Sequence, residues 1–143
     1  MAIFRDTNQF YECVGELMDR AKMDPQVGAK IGKSGIIIQF RYTDPDAVTT
    51  VNGKDKPTQS GAHVDVFHGH CDLKPDVVMT MKADTAHAFW HGKVNLITAL
   101  SKKEIVAKGP IPKILKLLPA VQPLYKVYPG LLREKGYGSL VLK

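Results

Sequence analysis

One stretch, residues 75–109, constrains the fold of this chain more than any other. Residues 77–82 alternate between apolar and other side chains, which is typical of a half-buried strand. Two short helices are predicted next, over 85–91 and 96–100, followed by a second strand over 104–108. Because these four elements follow one another so closely, the rest of the chain must pack around them.

Three more strands are predicted upstream of this stretch, over 35–42, 47–51 and 62–70. A polar loop, 54–61, separates the last two strands. The pair Asn52-Gly53 indicates a tight reversal or a hairpin before that loop.

Helices are predicted at both ends of the chain. The first begins near Asp6 and ends at Asp24-Pro25, after which a short loop is expected. Near the other end, Pro119 and Pro129 favour two short helices, 112–118 and 120–128. A loose tail is predicted over 136–143. The pattern is α+β: a mainly antiparallel five-stranded sheet covered on one face by short helices.

Size and composition indicate one domain spanning residues 1–143. The chain has 143 residues, of which 44% are hydrophobic and 24% charged, as in ordinary globular proteins. Its apolar runs are too short to cross a bilayer, and its first residues lack the apolar core of a signal peptide. A cytoplasmic location is therefore expected. The formal charge of +6 favours anionic partners without identifying one.

Histidine pairs raise the question of a metal site. His68 and His70 share one face of a predicted strand, and His87 and His91 lie four residues apart on a predicted helix. No third ligand stands at a typical spacing, so surface histidines are the preferred interpretation. Neither a metal nor a cofactor is predicted.

The sequence offers no recognisable catalytic set. Cys13 lies on the flank of the first helix, and the carboxylates of Asp65, Asp72 and Glu104 form no pair of a known kind. The chain is predicted not to be an enzyme. Nucleic acid is not an expected partner either, because the lysines are dispersed and the aromatic side chains of the first strand fall on its buried face.

The order and spacing of these elements are similar to those of the sterol carrier protein type-two family. The similarity rests on the strand that follows Asp76, on Gly92-Lys93 and Gly109, and on Lys30-Ile31-Gly32 and Asn52-Gly53-Lys54 upstream. In this family the sheet and short helices enclose an apolar tunnel for sterols, fatty acids, acyl-CoA esters or phospholipids, and a C-terminal helix covers it. The lengthened loop 54–61 and the proline-rich C-terminal region depart from the family and leave the mouth of the tunnel undefined.

The apolar side chains permit two interpretations, a dry core or the wall of a lipid tunnel. Both place the same residues inside, and the resemblance favours the tunnel. An empty tunnel of about 400 Å³ would cost on the order of 10 kcal/mol, so it must be occupied, hydrated or collapsible. The predicted lipid-binding residues are Ile36, Ile38, Phe40, Val77, Met79, Met81, Phe89, Trp90, Leu96, Leu100, Ile114, Leu115, Leu118 and Leu124.

The functional prediction is a domain that binds lipids, with transfer between membranes as a further step, and without catalysis. The alternative is an accessory domain with a filled core that mediates protein–protein interaction. Lys113, Lys116 and Lys126 flank the apolar face of the C-terminal helices. They are predicted either to contact anionic membranes transiently or to solvate the outer face of a fixed helix.

Overall fold

The computed structural model describes residues 2–142. Its first elements along the chain are helices. Helix α1 (Thr7–Phe10) continues through a π-helical turn (Tyr11–Gly15) into α2 (Glu16–Met23). The carboxylate of Asp6 accepts a hydrogen bond of 2.8 Å from the Gln9 amide and so caps α1, as predicted.

A further helix, α3 (Val27–Lys33), occupies the segment for which the sequence predicted only a loop. The carboxylate of Asp24 accepts hydrogen bonds from the amides of Gln26 (2.8 Å) and Val27 (2.9 Å), which satisfies free donors at the start of this helix. Pro25 therefore ends one helix and lies at the entrance to the next. Two glycines within α3 weaken its helical signal in the sequence.

The sheet contains five strands in the order β3-β2-β1-β4-β5. Its neighbouring pairs are antiparallel except for β1 and β4, which are parallel. The predicted mainly antiparallel sheet is therefore a mixed sheet with a parallel pair at its centre. The strands are β1 (Ile37–Thr43), β2 (Ala47–Asn52), β3 (Asp65–His68), β4 (Val77–Lys82) and β5 (Ile105–Lys108).

The connection 69–76 produces the parallel pair. It leaves β3 with the Gly69 amide donating to the Val48 carbonyl (2.7 Å) and enters β4 with the Asp76 amide donating to the Ile37 carbonyl (2.8 Å). This segment joins two strands that are not neighbours, because β4 pairs with β1 and not with β3. Nothing in its sequence indicated that pairing. Strand β3 is also shorter than the predicted strand 62–70, because 62–64 belong to the preceding loop and 69–70 to the connection.

Helices α4 (Ala83–Trp90) and α5 (Leu96–Ser101) join β4 to β5, as predicted. Gly92 has φ +74°, the left-handed conformation expected after the end of α4. The Asn95 side chain accepts a 3.0 Å hydrogen bond from the Thr98 amide and caps α5. Local sequence signals identified both helices, although α4 begins at Ala83, two residues before the predicted start, and has no side-chain cap.

The C-terminal helices α6 (Ile111–Val121) and α7 (Leu124–Glu134) pass through the prolines that were predicted to interrupt them, Pro119 in α6 and Pro129 in α7. A proline inside a helix removes one backbone hydrogen bond and costs about 3 kcal/mol. Burial of Ile114 and Ala120 on α6 offsets that cost.

The C-terminal tail is held by His87 of α4 and by His91, which directly follows this helix. His87 Nε2 lies 2.7 Å from the Leu140 carbonyl oxygen, and the Leu142 amide donates to His91 Nε2 at 3.2 Å. The prediction of a loose tail was therefore wrong for residues up to 142, and Lys143 lies outside the described residues. His87 is completely buried, which corrects its prediction as a surface residue.

Candidate functional site

An apolar cavity of about 90 Å³ lies between one face of the sheet and the helices. Strands β1, β2, β4 and β5 form its floor, and α2, α3, α4, α5, α6 and α7 contribute to its walls. The lining residues are Met18, Ile31, Ile38, Phe40, Tyr42, Val51, Met79, Met81, Ala86, Phe89, Trp90, Leu96, Ile105, Ile114, Leu117, Leu118, Val121 and Leu124.

Most of the side chains predicted to bind lipid meet at this cavity. The alternation of β1 and β4 places their inward-facing residues side by side, with Phe40 beside Met79 in the parallel pair. Helices α4 to α7 complete the group. The predicted residues that line the cavity are Ile38, Phe40, Met79, Met81, Phe89, Trp90, Leu96, Ile114, Leu118 and Leu124.

Four predicted residues do not line the cavity. Ile36 and Val77 are buried elsewhere in the core. Ile36 directly precedes β1, and Val77 is the first residue of β4. Leu115 is half-buried on α6, one residue away from the cavity-facing side. Leu100 instead borders a shallow groove beside the edge strand β5, together with Val106 and Ile111.

Eight lining residues were not predicted as site residues: Met18, Ile31, Tyr42, Val51, Ala86, Ile105, Leu117 and Val121. Ile31 was missed because α3 was interpreted as a loop. Val121 was assigned to the helix predicted over 120–128, whereas it is the last residue of α6. The period-two pattern of β1 did place Tyr42 on the same face as Phe40, so a signal for Tyr42 was present.

The cavity wall offers a ligand almost only apolar contacts. Of the described residues, none that lines it is charged, and Tyr42 and Trp90 are the lining residues whose side chains carry an O–H or N–H group. Attraction between apolar surfaces is non-directional and grows with buried area. The wall therefore suits an aliphatic chain and provides nothing that would hold a charged group.

Helices α6 and α7 lie over the open side of the sheet. Ile114, Leu117, Leu118 and Val121 of α6 project into the cavity. Phe89 and Trp90 of α4 make edge-to-face contacts with each other and with Tyr125 of α7, at centroid distances from 4.9 to 6.3 Å. We refer to α6 and α7 as the cover.

The cavity is much smaller than the predicted tunnel. Pockets for small ligands usually measure about 300–1,000 Å³, and the described residues enclose no lipid-sized tunnel. At about 24 cal/mol per Å³, an empty cavity of this size costs only about 2 kcal/mol. The unliganded protein can therefore remain folded with this space empty.

A group of polar side chains outside the cavity joins α2 to the edge of the sheet. His68 on β3 lies 3.0 Å from both the Asp19 carboxylate and the Thr49 hydroxyl. The order of acid, imidazole and hydroxyl is that of a nucleophile with its base, but Thr49 is only 1% exposed and its hydroxyl cannot meet a substrate. These contacts tie β3 to α2.

The other histidines that were considered as metal ligands make different contacts. His70 contacts Asp72 at the surface, while His87 and His91 hold the tail. Within residues 2–142, no group of three His, Cys, Asp or Glu side chains is arranged to hold a metal ion.

Lys113, Lys116 and Lys126 are exposed on the cover. In α6 the two lysines stand on either side of the buried Ile114 in sequence and point away from the cavity wall. Among the described helices, none has the length and hydropathy needed to cross a membrane.

Comparison with known proteins identifies the fold. No protein-family model and no curated protein matches the sequence. Similar solved structures include sterol carrier protein 2 from Yarrowia lipolytica in its apo form, with a TM-score of 0.58 and 18% identity; the match covers 80% of this chain and 88% of that one.

Two insect proteins give similar matches. The sterol carrier protein domain 2 of Helicoverpa armigera has a TM-score of 0.59 at 19% identity, covering 79% of this chain and 88% of that one. Palmitated SCP2L2 from Aedes aegypti has a TM-score of 0.52 at 20% identity, covering 73% of this chain and 90% of that one. At these identities the likeness concerns the fold.

Proposed function

We propose that this chain, which has a fold of the sterol carrier protein 2 type, binds a single-chain lipid beneath the α6–α7 cover and carries it without altering it. The observation that carries the proposal is the uncharged, almost wholly apolar lining of the cavity between the sheet and the cover. Palmitated SCP2L2 has a similar fold, which supports the choice of an acyl ligand.

A long chain fits only if the cavity expands. Burial of each ligand methylene contributes about 0.8 kcal/mol, so a chain of a dozen or more carbons can offset substantial rearrangement of the protein. Movement of the cover requires no break in the sheet, because α6 and α7 follow the last strand. Met79 and Met81, which have flexible side chains, can adjust to ligands of different shape.

A second candidate function is favoured by the small volume of the cavity. With only about 90 Å³ unfilled, the interior is close to a packed core. An accessory domain that binds other proteins would need no more space than this. The two functions differ in whether the purified protein takes up lipid.

Native mass spectrometry provides the first test. We expect the purified protein to carry a fatty acid or another single-chain lipid that is lost on organic extraction, and the extracted protein to take up a fluorescent fatty acid. Extracted protein without such uptake would support the second candidate.

A cavity-filling variant links uptake to the site. Ala86 lines the cavity on α4, so Ala86→Leu should occupy the space that a ligand needs while the protein stays folded. Steric rejection of this kind typically changes binding at least about tenfold. Ala88→Leu on the same helix adds the same side chain outside the cavity wall and should leave uptake unchanged. Equal uptake by both variants would place the ligand elsewhere.

A further inference from the structure

The hydroxyl of Tyr42 is a polar group in a site that is otherwise almost wholly apolar. Tyr42 lies on β1, the central strand, between Ala47 of β2 and Met81 of β4. The residue is only 4% exposed and contributes to the cavity wall.

Neighbouring aromatic rings fix the position of this hydroxyl. The Tyr42 ring packs against Phe10 with a centroid distance of 4.5 Å and is parallel to the ring of Phe40 at 6.2 Å. Rings held in this way have little freedom to move. The hydroxyl therefore has a fixed position relative to the sheet.

No hydrogen bond joins the Tyr42 hydroxyl to another group within residues 2–142. Every fully enclosed side-chain nitrogen or oxygen in that range has a partner. A hydroxyl without a partner must then retain some free surface, and the cavity is the open space that Tyr42 borders. Buried polar groups are normally paired, so an unpaired one facing a ligand site is positioned to pair with the ligand.

We propose that the Tyr42 hydroxyl recognises the inserted end of the ligand and favours a chain that ends in a neutral oxygen, such as a long-chain alcohol, over one that ends in hydrocarbon. This inference rests on the proposed lipid-binding function. A phenol both donates and accepts a hydrogen bond, as does an alcohol. Burial raises the pKa of Tyr42, which keeps its hydroxyl protonated.

An ionised carboxylate does not fit the same place. One neutral hydroxyl cannot replace the several water molecules that a carboxylate loses on burial, and no charged side chain is found among the described lining residues. An ionised fatty acid should therefore enter with its methyl end and leave its carboxylate at the mouth. Tyr42 should contribute to the binding of an alcohol and not to that of a fatty-acid anion.

Competition with a fluorescent fatty acid at pH 8 tests the proposal with two ligands of equal length, 1-hexadecanol and hexadecanoate. In the Tyr42→Phe variant, loss of one hydrogen bond should weaken hexadecanol binding about fivefold. Binding of hexadecanoate should change less than about twofold. Tyr137→Phe makes the same chemical change beyond the end of α7, at a residue that does not line the cavity and whose hydroxyl contacts Glu12, and it should leave both affinities unchanged.

Each other outcome counts against the proposal. Equal weakening of both ligands, or of neither, would remove Tyr42 from recognition. A lower melting temperature of Tyr42→Phe would show that the hydroxyl already has a partner inside the protein. If the alcohol preference were lost in Trp90→Phe and kept in Tyr42→Phe, the indole N–H of Trp90 would be the group that recognises the alcohol. If neither ligand competes in the wild type, the lipid-binding function itself fails, and this pattern differs from all the others.

Discussion

His87 of α4 and Tyr128 of α7 form a buried hydrogen bond, with 2.8 Å between the imidazole Nδ1 and the tyrosine hydroxyl. Because Nε2 faces the Leu140 carbonyl, that nitrogen carries the proton, and Nδ1 accepts from the hydroxyl. One neutral imidazole thus joins α4, the cover and the C-terminal tail. The arrangement uses both nitrogens of the ring, and complete burial of His87 disfavours the charged form of the imidazole.

Stability should therefore fall in mild acid. Burial lowers the pKa of His87 from 6.5 to about 4, with His91 acting in the same direction. Between these values the unfolded chain binds a proton that the folded protein excludes, so the contribution of a neutral His87 is complete above pH 6.5 and declines as the pH falls towards 4. At pH 5 we expect a loss of about 2 kcal/mol in the free energy of unfolding relative to pH 7.5.

Urea unfolding at the two pH values measures this effect. His87→Gln keeps a donor and an acceptor but does not titrate, so its stability should change less between pH 7.5 and 5 than that of the wild type, even if it is lower throughout. His70→Gln alters an exposed histidine and should retain the wild-type pH dependence. Equal pH dependence in all three proteins would show that His87 is not the responsible group.

Trp90 should report ligand binding through its fluorescence, because it lines the cavity and is the one tryptophan of the chain. Its emission should shift or be quenched as an acyl ligand is added. Emission that stays constant at saturation would place the ligand away from Trp90.

Phe89→Asp should abolish uptake, because it would place a charge on an apolar wall where no partner is available. Ala88→Asp introduces the same charge at the neighbouring half-buried position, outside the wall. It should retain uptake. A fluorescent fatty acid measures both variants, and similar losses in the two would indicate a general effect on α4.

The connection between β5 and the cover depends on a glycine. Gly109 has φ +121°, and a Cβ there would overlap the carbonyl oxygen of Asp76. Gly109→Ala should therefore lower the free energy of unfolding by at least about 2 kcal/mol. Gly130→Ala lies within α7 with open space around its Cβ and should raise it by about 0.5–1 kcal/mol. Chemical denaturation measures both changes in the free energy of unfolding. If Gly109→Ala left the free energy unchanged, residue 109 would not lie as close to the Asp76 carbonyl oxygen as the structure has it.

Local signals were enough to predict the segment from β4 to β5. The strand alternation, the Gly92 terminus and the Asn95 cap each depend on neighbours a few residues apart, and the structure has all three. The cavity-facing alternation of β1 was predicted for the same reason. Such features require no knowledge of distant contacts.

The features that were missed depend on tertiary contacts. Pro119 stays within α6 because packing against the core compensates for a lost hydrogen bond, and His87 is buried because Tyr128 and Leu140 lie far away in sequence. The parallel pairing of β1 with β4 likewise depends on how the connection 69–76 crosses the sheet. The volume of the cavity depends on the fit of all its side chains together, and a sequence pattern carries no such information.

The exposed lysines of the cover lead to a last prediction, that lipid transfer depends on membrane charge. Lys113 and Lys116 lie on the outer side of α6, while Ile114, Leu117 and Leu118 of the same helix line the cavity. A basic residue near an anionic bilayer contributes about 1 kcal/mol. Docking of α6 would therefore favour movement of the cover towards the membrane, with Lys126 of α7 contributing to the same surface.

Transfer of a fluorescent fatty acid between vesicles, with and without anionic lipid, measures this dependence. The double variant Lys113→Glu with Lys116→Glu should slow transfer to anionic vesicles at least about tenfold at low salt, and the difference should shrink at high salt because the interaction is screened. Lys54→Glu with Lys56→Glu changes the net charge equally on the exposed loop after β2 and should have little effect. If both double variants slow transfer equally, net charge would account for the effect. If transfer by the wild type is indifferent to vesicle charge and salt, the lysines only solvate the outer face of α6, and membrane docking through the cover is wrong even for a protein that binds lipid.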